Sequence, residues 1–334
     1  MRSLREIASE LGYSEATVSN ALSGKGRMKP ETRDLIIKAV EKTDYQYRHT
    51  SRFNQNSVVI IQEEDGTFND EIVNSLLSRC TKAGVFWPVY KLEIFSRGIS
   101  RDADASVMRP LLMKLLDSIP YTPSGMVYVS QYPRKIPGYL DSLNFPIVGV
   151  QMLDSGADVY INSNDQQGAY DAIQYMYHRG KRRIAMIAGQ IDTYSSSERL
   201  IGYQRGLIDC HIPYHPKLIW VGDWSQESGY ELTEKLLNLN VPIDSIFTQN
   251  DYMAFGAIRK IKERNLRIPE DISIIGFDNS PDYASKASPE LTTVSPPRYI
   301  MGSMAFDKML SLLRHNHVED SILKCDLCIR ESCK

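Results

Sequence analysis

The chain has 334 residues, enough for two or three domains of ordinary size, and its 42% hydrophobic and 24% charged residues are the balance of a water-facing globular protein. No apolar run approaches the ~18 residues of a membrane span, and the charged start MRSLREIASEL holds no apolar signal core, so the expectation is a cytoplasmic protein with no membrane partner. The net charge of −2 excludes a polycation, yet residues 1–56 carry ten Lys/Arg against seven Asp/Glu, a basic head on an acidic body.

The first predicted helix starts at Ser3, where S-L-R-E makes a capping box with Glu6. Leu4, Ile7, Ala8 and Leu11 then recur at helical spacing, and Gly12 ends the run. Ser14 can cap a second helix whose inner face is Val18 and Leu22. SGKGRMKP is a loop, and PETRDLIIKAVEKTDY is a third helix with Pro30 at its start and Leu35, Ile36, Ala39 and Val40 buried. QYRHTSRFNQN is polar and basic and reads as a connector.

From Ser57 the texture changes. SVVIIQ is a buried strand, followed by a helix around NDEIVNSLLSRCTKAG, the segment VFWPVYKL, helix RPLLMKLLDSIP, strand SGMVYVS, helix PGYLDSLN and strand FPIVGVQ. The alternation then restarts: helix NDQQGAYDAIQYMYHRG, strand RRIAMIAG, helix SSSERLIGYQRGLIDC, strand KLIWVGD, helix QESGYELTEKLLNL, strand SIFTQN, helix DYMAFGAIRKIKERN and strand ISIIGFDN. Strands alternating with helices mean doubly wound parallel sheets, and two successive blocks mean two subdomains facing a cleft. Ligands bind at the strand C-terminal ends of such sheets. SILKCDLCIRES is expected as one C-terminal strand, so Cys325 and Cys328 would point to opposite faces and chelate one metal poorly. The five cysteines read as ordinary thiols, with no metal site and no cofactor. No catalytic set of residues is apparent, so an enzyme is not expected, and His178 reads as a helix-end residue.

The motifs SLREIASELGYSEATVSNALSGKGRMKPETRDLIIKAVEKTDY, INSNDQQGAYDAIQYMYHRGKRRIAMIAG, SERLIGYQRGL, SIFTQNDYMAFGAI, RIPEDISIIGFDN and PELTTVSPPRYIMGSMAFDKML resemble, in order, those of the LacI/GalR family of transcriptional repressors. The resemblance implies a small all-α helix-turn-helix head (1–46), a hinge (47–56) and an α/β core (57–334). That core is expected as two doubly wound parallel-sheet subdomains like those of periplasmic binding proteins. The N-subdomain is expected at about 57–161 plus 292–320, and the C-subdomain at about 162–291 plus 321–334. The chain would cross between them near 160–163, 291–294 and 319–322.

In the head, Glu15, Ala16 and Asn20 lie opposite Val18 and Leu22 and would face DNA. Asn20 suits adenine, Ala16 a thymine methyl, and Glu15 the cytosine amino group; Glu15 could equally serve only the helix dipole. Thr17 and Ser19 suit phosphates, and Arg27 in the following loop suits a guanine or a phosphate. The hinge departs from the family pattern: Tyr47 stands at the usual proline position, Ser51–Arg52 at the usual Ala-Arg, and Asn54 where leucine is expected. Phe53, beside Arg52, is the candidate apolar wedge.

In the core, the resemblance assigns Arg199 and Asp278 to effector binding, with Asn250 and, after it, Asp251. Trp224 stands at a position that is often aromatic, Thr193 and Ser195 precede Arg199, and Phe68 and Asn69 lie in the first loop of the other lobe. Asp165 is expected as a helix cap. Trp with Asp, Asn and Arg suits a sugar; a purine or nucleoside is the alternative, because an indole stacks on either. The expectation is a homodimeric repressor of operator DNA gated by a small molecule. The rival reading is a solute sensor with a vestigial head.

Overall fold

The computed structural model describes residues 4–23, 28–41, 57–63, 67–94 and 103–334. The chain divides into two compact units, Met1–Asn56 and Ser57–Lys334.

The first unit holds helices α1 (Leu4–Glu10), α2 (Glu15–Ser23) and α3 (Pro30–Glu41). Ile7, Ala8, Val18, Ala21, Ile36 and Val40 form its buried cluster. Gly12 ends α1 with φ +73, a left-handed turn that glycine takes without strain. The Ser14 hydroxyl accepts the Thr17 N–H at 3.1 Å, so it caps α2. Leu35 was expected inside and is 55% exposed. Ile36 and Val40, four apart, occupy the inward stripe of α3, and Leu35 stands about 100° round the helix from Ile36.

The second unit contains two sheets. The first has the order β11-β5-β4-β3-β1-β2, all parallel, from β1 (Val58–Glu63), β2 (Val89–Leu92), β3 (Gly125–Lys135), β4 (Ile147–Leu153), β5 (Val159–Ser163) and β11 (Ser321–Leu323). Helices α4 (Thr67–Ala83), α5 (Ala105–Ser118) and α10 (Arg298–Leu313) cover it. The second sheet has the order β12-β10-β9-β8-β6-β7. Its strands are β6 (Ile184–Ala188), β7 (Ile219–Val221), β8 (Ser245–Thr248), β9 (Ser273–Phe277), β10 (Thr292–Ser295) and the antiparallel β12 (Asp326–Cys328). Its helices are α6 (Asp165–His178), α7 (Tyr194–Asp209), α8 (Gln226–Leu237) and α9 (Asp251–Glu263).

Strand alternation sorts the apolar residues into layers. In β1, Val58 and Ile60 join the cluster under α4 and α10, while Val59 and Ile61 join the one under α5. The second lobe has two clusters of its own, one with α6 and α7, the other with α8 and α9. None of these four clusters draws residues from both lobes.

Three expectations need correction. The chain changes lobe after β5, after β10 and after β11, near 163–165, 295–298 and 323–326, a few residues beyond the expected crossings. The cause is that each crossing strand finishes its ladder before the chain leaves. The expected single C-terminal strand is two short strands in different sheets, with Cys325 between them. The expected helix PGYLDSLN is a turn region, because Gly138 adopts φ +74 after Pro137 and Tyr139 is drawn into the core. There the Tyr139 hydroxyl bonds that of Tyr128 at 2.8 Å.

Candidate functional site

A cavity of about 320 Å³ opens where the C-terminal ends of strands from both sheets face each other. Its volume falls within the usual range for small-molecule sites. Thr193, Ser195, Arg199, Trp224, Asn250 and Asp278 all line it.

Arg199 is its anchor. It is 5% exposed on α7, with its Nε 2.8 Å from Asp165 Oδ2 and a terminal nitrogen 3.3 Å from Asp278 Oδ1. It also donates to the Gln249 carbonyl, and its guanidinium lies over the Phe277 ring at 3.6 Å. Burial by itself would lower the pKa of Arg199; the charges of Asp165 and Asp278 outweigh that and hold it above the ordinary value. The plane of the guanidinium is therefore fixed before any ligand arrives.

Asp278 follows β9 in a left-handed conformation, φ +103, which a side chain rarely adopts. Burial pushes its carboxyl up to about 6, against the pull of Arg199 and Arg298. Trp224 (φ +73) and Gln151 (φ +57) share this unusual backbone and also line the cavity. Such strain gathers at binding sites, held by the surrounding structure. The indole of Trp224 lies flat against Gly189, where an added Cβ would sit 2.1 Å from it. Glycine is thus required at 189 for the aromatic wall to form.

Asn250 has two tasks. Its Oδ1 accepts the Met253 N–H at 2.9 Å and caps α9, while its Nδ2 donates to the Trp224 carbonyl at 2.9 Å. Thr193 caps α7 by accepting the Ser196 N–H. Three residues of the lining, Ser195, Ser280 and Gln151, each carry a buried side-chain oxygen without a hydrogen-bond partner. Buried polar atoms are usually paired, and a small rotation of these side chains toward the opening would let a ligand complete their bonds.

Several expectations are corrected. Asn69 stands behind the cavity: its amide donates to Gln131 Oε1 at 2.8 Å and accepts from Gln151 Nε2 at 2.9 Å. Gln131 and Gln151 are the residues that face the opening. The side chain of Phe68 lies outside the described residues. Asp165 is not the cap of α6, since Asn164 Oδ1 accepts the Gln167 N–H at 2.9 Å. Asp165 is instead the buried partner of Arg199. Two adjacent cap-type residues, Asn-Asp, cannot be told apart by propensity. Asp251 also backs the cavity: it accepts from Thr293 Oγ1 at 2.6 Å and the Ser280 N–H at 2.7 Å. Burial, then the charge of Asp278, pushes its carboxyl up to about 8. Sequence reasoning missed Tyr132, Tyr252 and Arg298, which line the cavity too. The position of Gln131 and Gln151 at the ends of apolar runs was a signal that could have found those two.

In the first unit, Glu15, Ala16 and Asn20 are exposed on α2 and Val18 is buried. Thr17 is half-buried, its hydroxyl 2.7 Å from that of Ser14. The side chain of Ser19 and the whole of Arg27, Arg52, Phe53 and the hinge 47–56 lie outside the described residues. Among the described residues there is no group of three or more His, Cys, Asp or Glu placed to hold a metal, and no helix long and apolar enough to cross a membrane.

Residues 3–47 match the family described as bacterial regulatory proteins, lacI family, and residues 173–333 match the periplasmic binding protein-like domain. The chain is 30% identical to the probable HTH-type transcriptional repressor ExuR of Bacillus subtilis (strain 168), over 94% of this chain and 92% of that protein. It is 28% identical to the HTH-type transcriptional repressor CytR of Escherichia coli (strain K12), over 98% of this chain and 95% of the other. In fold it is similar to a Lac repressor dimer bound to operator and the anti-inducer ONPF, with TM-score 0.69, 24% identity and 99% of each chain covered.

Proposed function

The chain belongs to the lacI family of bacterial regulatory proteins, and from that premise we propose a repressor, acting as a homodimer in the cytoplasm, whose hold on operator DNA is set by a neutral sugar in the cleft. The head supplies the DNA contacts, with Glu15, Ala16 and Asn20 toward the bases and Thr17, Ser19 and Arg27 toward phosphates. Arg52 and Phe53 are the proposed minor-groove residues.

One observation carries the effector reading: three residues with partnerless side-chain oxygens line one cavity together with Trp224. Hydroxyl groups of a sugar would supply their missing partners, and the indole would lie against the ring face. Charge argues for a neutral ligand. Both arginines of the lining already hold carboxylates, Arg199 those of Asp165 and Asp278 and Arg298 that of Glu71. A sugar phosphate or sugar acid would have to compete with those carboxylates for the guanidinium groups. The indole also favours a nucleoside, which is neutral and carries a planar base, and this is the second reading. Neither reading involves catalysis: the arrangement binds and orients.

Two measurements test this. Thermal unfolding of the full chain against a panel of neutral sugars, sugar acids and nucleosides reads the effector, since a ligand at 100 times its Kd adds about 2.7 kcal/mol to stability. Gel shift on the upstream region of its own gene reads the operator, with a steep fall in affinity as salt rises. Stabilisation by sugar acids alone would overturn the neutral reading. Absence of specific DNA binding at low salt would leave only a sensor.

A further inference from the structure

Arg298 opens α10, which belongs to the first lobe: Met301, Ala305, Phe306 and Met309 of the same helix lie in that lobe's core. Its guanidinium nevertheless reaches into the second lobe. One terminal nitrogen donates to the Asp278 carbonyl and the other to the Asn279 carbonyl at 3.2 Å. Its Nε holds Glu71 Oε2, on α4 of the first lobe, at 2.6 Å. Arg298 is 4% exposed. Both accepting carbonyls belong to residues in left-handed conformations, φ +103 and +48, so the turn is one that its neighbours must hold in place.

Asp278 is therefore gripped twice. Arg199 of the second lobe holds its carboxylate, and Arg298 of the first lobe holds its carbonyl. Because no apolar cluster of the core spans the two lobes, a change in their separation leaves the hydrophobic packing intact. Polar links of this kind then set the lobes' relative position. A planar fork with donors in three directions can satisfy Glu71 and two carbonyls together; a lysine ammonium cannot match that geometry.

We propose that Arg298 is a positioning residue that ties the Asp278–Asn279 turn to α4, so that a ligand rebonding the Asp278 carboxylate is felt at Glu71 in the first lobe. This rests on the reading of the cleft as the effector site. The link itself is present without a ligand and is testable without one.

The test is hydrogen-exchange mass spectrometry on the ligand-free full chain, comparing wild type with Arg298→Met, Arg298→Lys and Glu71→Gln. Arg298→Met should speed exchange in two separated segments, 276–281 and 67–75, by roughly threefold or more, with strands 58–63 and 245–248 unchanged. Glu71→Gln should speed exchange at 276–281 as well, across the lobe gap, and Arg298→Lys should behave as Arg298→Met does. In gel shifts, Arg298→Met should alter ligand-free operator affinity by roughly 2- to 30-fold, and adding Glu71→Gln to it should change little more. Exchange that rises in one lobe only, or evenly through a lobe as lost stability would produce, overturns the link. So does full rescue by lysine, or wild-type exchange at 276–281 in Glu71→Gln, a variant that keeps its own site intact should Arg298→Met fail to fold. Failure of every sugar and nucleoside to bind would sink the effector reading, and the exchange result would still decide the link.

Discussion

Asp278 and Arg199 concentrate the chemistry of the cleft at the scale of single residues. Burial raises the Asp278 carboxyl from its ordinary 3.8 to about 6. An acid whose folded pKa is raised holds its proton longer when folded. Its contribution to stability is thus present below about pH 4 and lost as pH rises to about 6. A ligand hydroxyl donates to the ionised form. Effector affinity should therefore climb between about pH 5 and pH 7 and level off above, and calorimetric titration of wild type against Asp278→Asn should show the slope in the first alone. Arg199→Ala removes the donor shared by the buried Asp165, the half-buried Asp278 and the Gln249 carbonyl. It should abolish the effector response and lower stability by about 3–5 kcal/mol, as broken buried pairs do, while operator binding by the folded fraction persists. Denaturant unfolding and gel shift with and without the effector check both parts. Glu15 is exposed at the start of α2. Glu15→Ala should relax base preference at one operator position by about 1–3 kcal/mol, read by gel shift on single-base operator variants; an unchanged preference would leave Glu15 as a helix-dipole residue only.

At the scale of elements, the cleft is assembled from helix starts. Asn164, Thr193, Ser225 and Asn250 each cap a second-lobe helix with a side-chain oxygen. These caps lie just after strands or the short loops that follow them, so the second lobe turns its helix N-termini toward the strand ends. The residues beside the caps inherit that direction, which is why Ser195, Arg199 and Trp224 converge. Trp224 depends on a strand end of a different kind, the bare backbone at Gly189. Gly189→Ala should expel the indole from its seat and weaken effector binding about as much as removing the aromatic wall. Intrinsic fluorescence that shifts to the red with an unchanged far-ultraviolet spectrum would verify it, and an unshifted emission would show that the indole is seated by other contacts.

At the scale of the whole molecule, three chain crossings join lobes whose hydrophobic cores are separate. The second unit, Ser57–Lys334, holds those cores and every residue that lines the cavity. A chain of residues 57–334 should therefore fold and bind the same effector with unchanged affinity while losing operator binding. Calorimetry and gel shift on the shortened chain decide this; loss of effector affinity would mean that the first unit contributes to the cleft.

Much of this was legible in the sequence because it is local. Periodicity of 3.6 marked the three head helices, short apolar runs alternating with helices marked both sheets, and Ser14 announced its helix by type and place. Arg199, Asn250 and Asp278 stood in motifs that the family resemblance singled out, Trp224 at a position that is often aromatic, and the fold brings all four to one cavity. What only the tertiary structure decided is which polar group meets which across space. Asp165 is 34 residues from Arg199 and reads locally as a cap. Asn69, expected in a loop, stands in the first turn of α4 and points into a buried amide network behind the opening. Arg298 follows two prolines at a helix start, and nothing within its own segment tells that its donors reach Glu71 and the second-lobe turn. Backbone propensities act over a few neighbouring residues, whereas a buried charge takes its role from whatever the finished fold places opposite it.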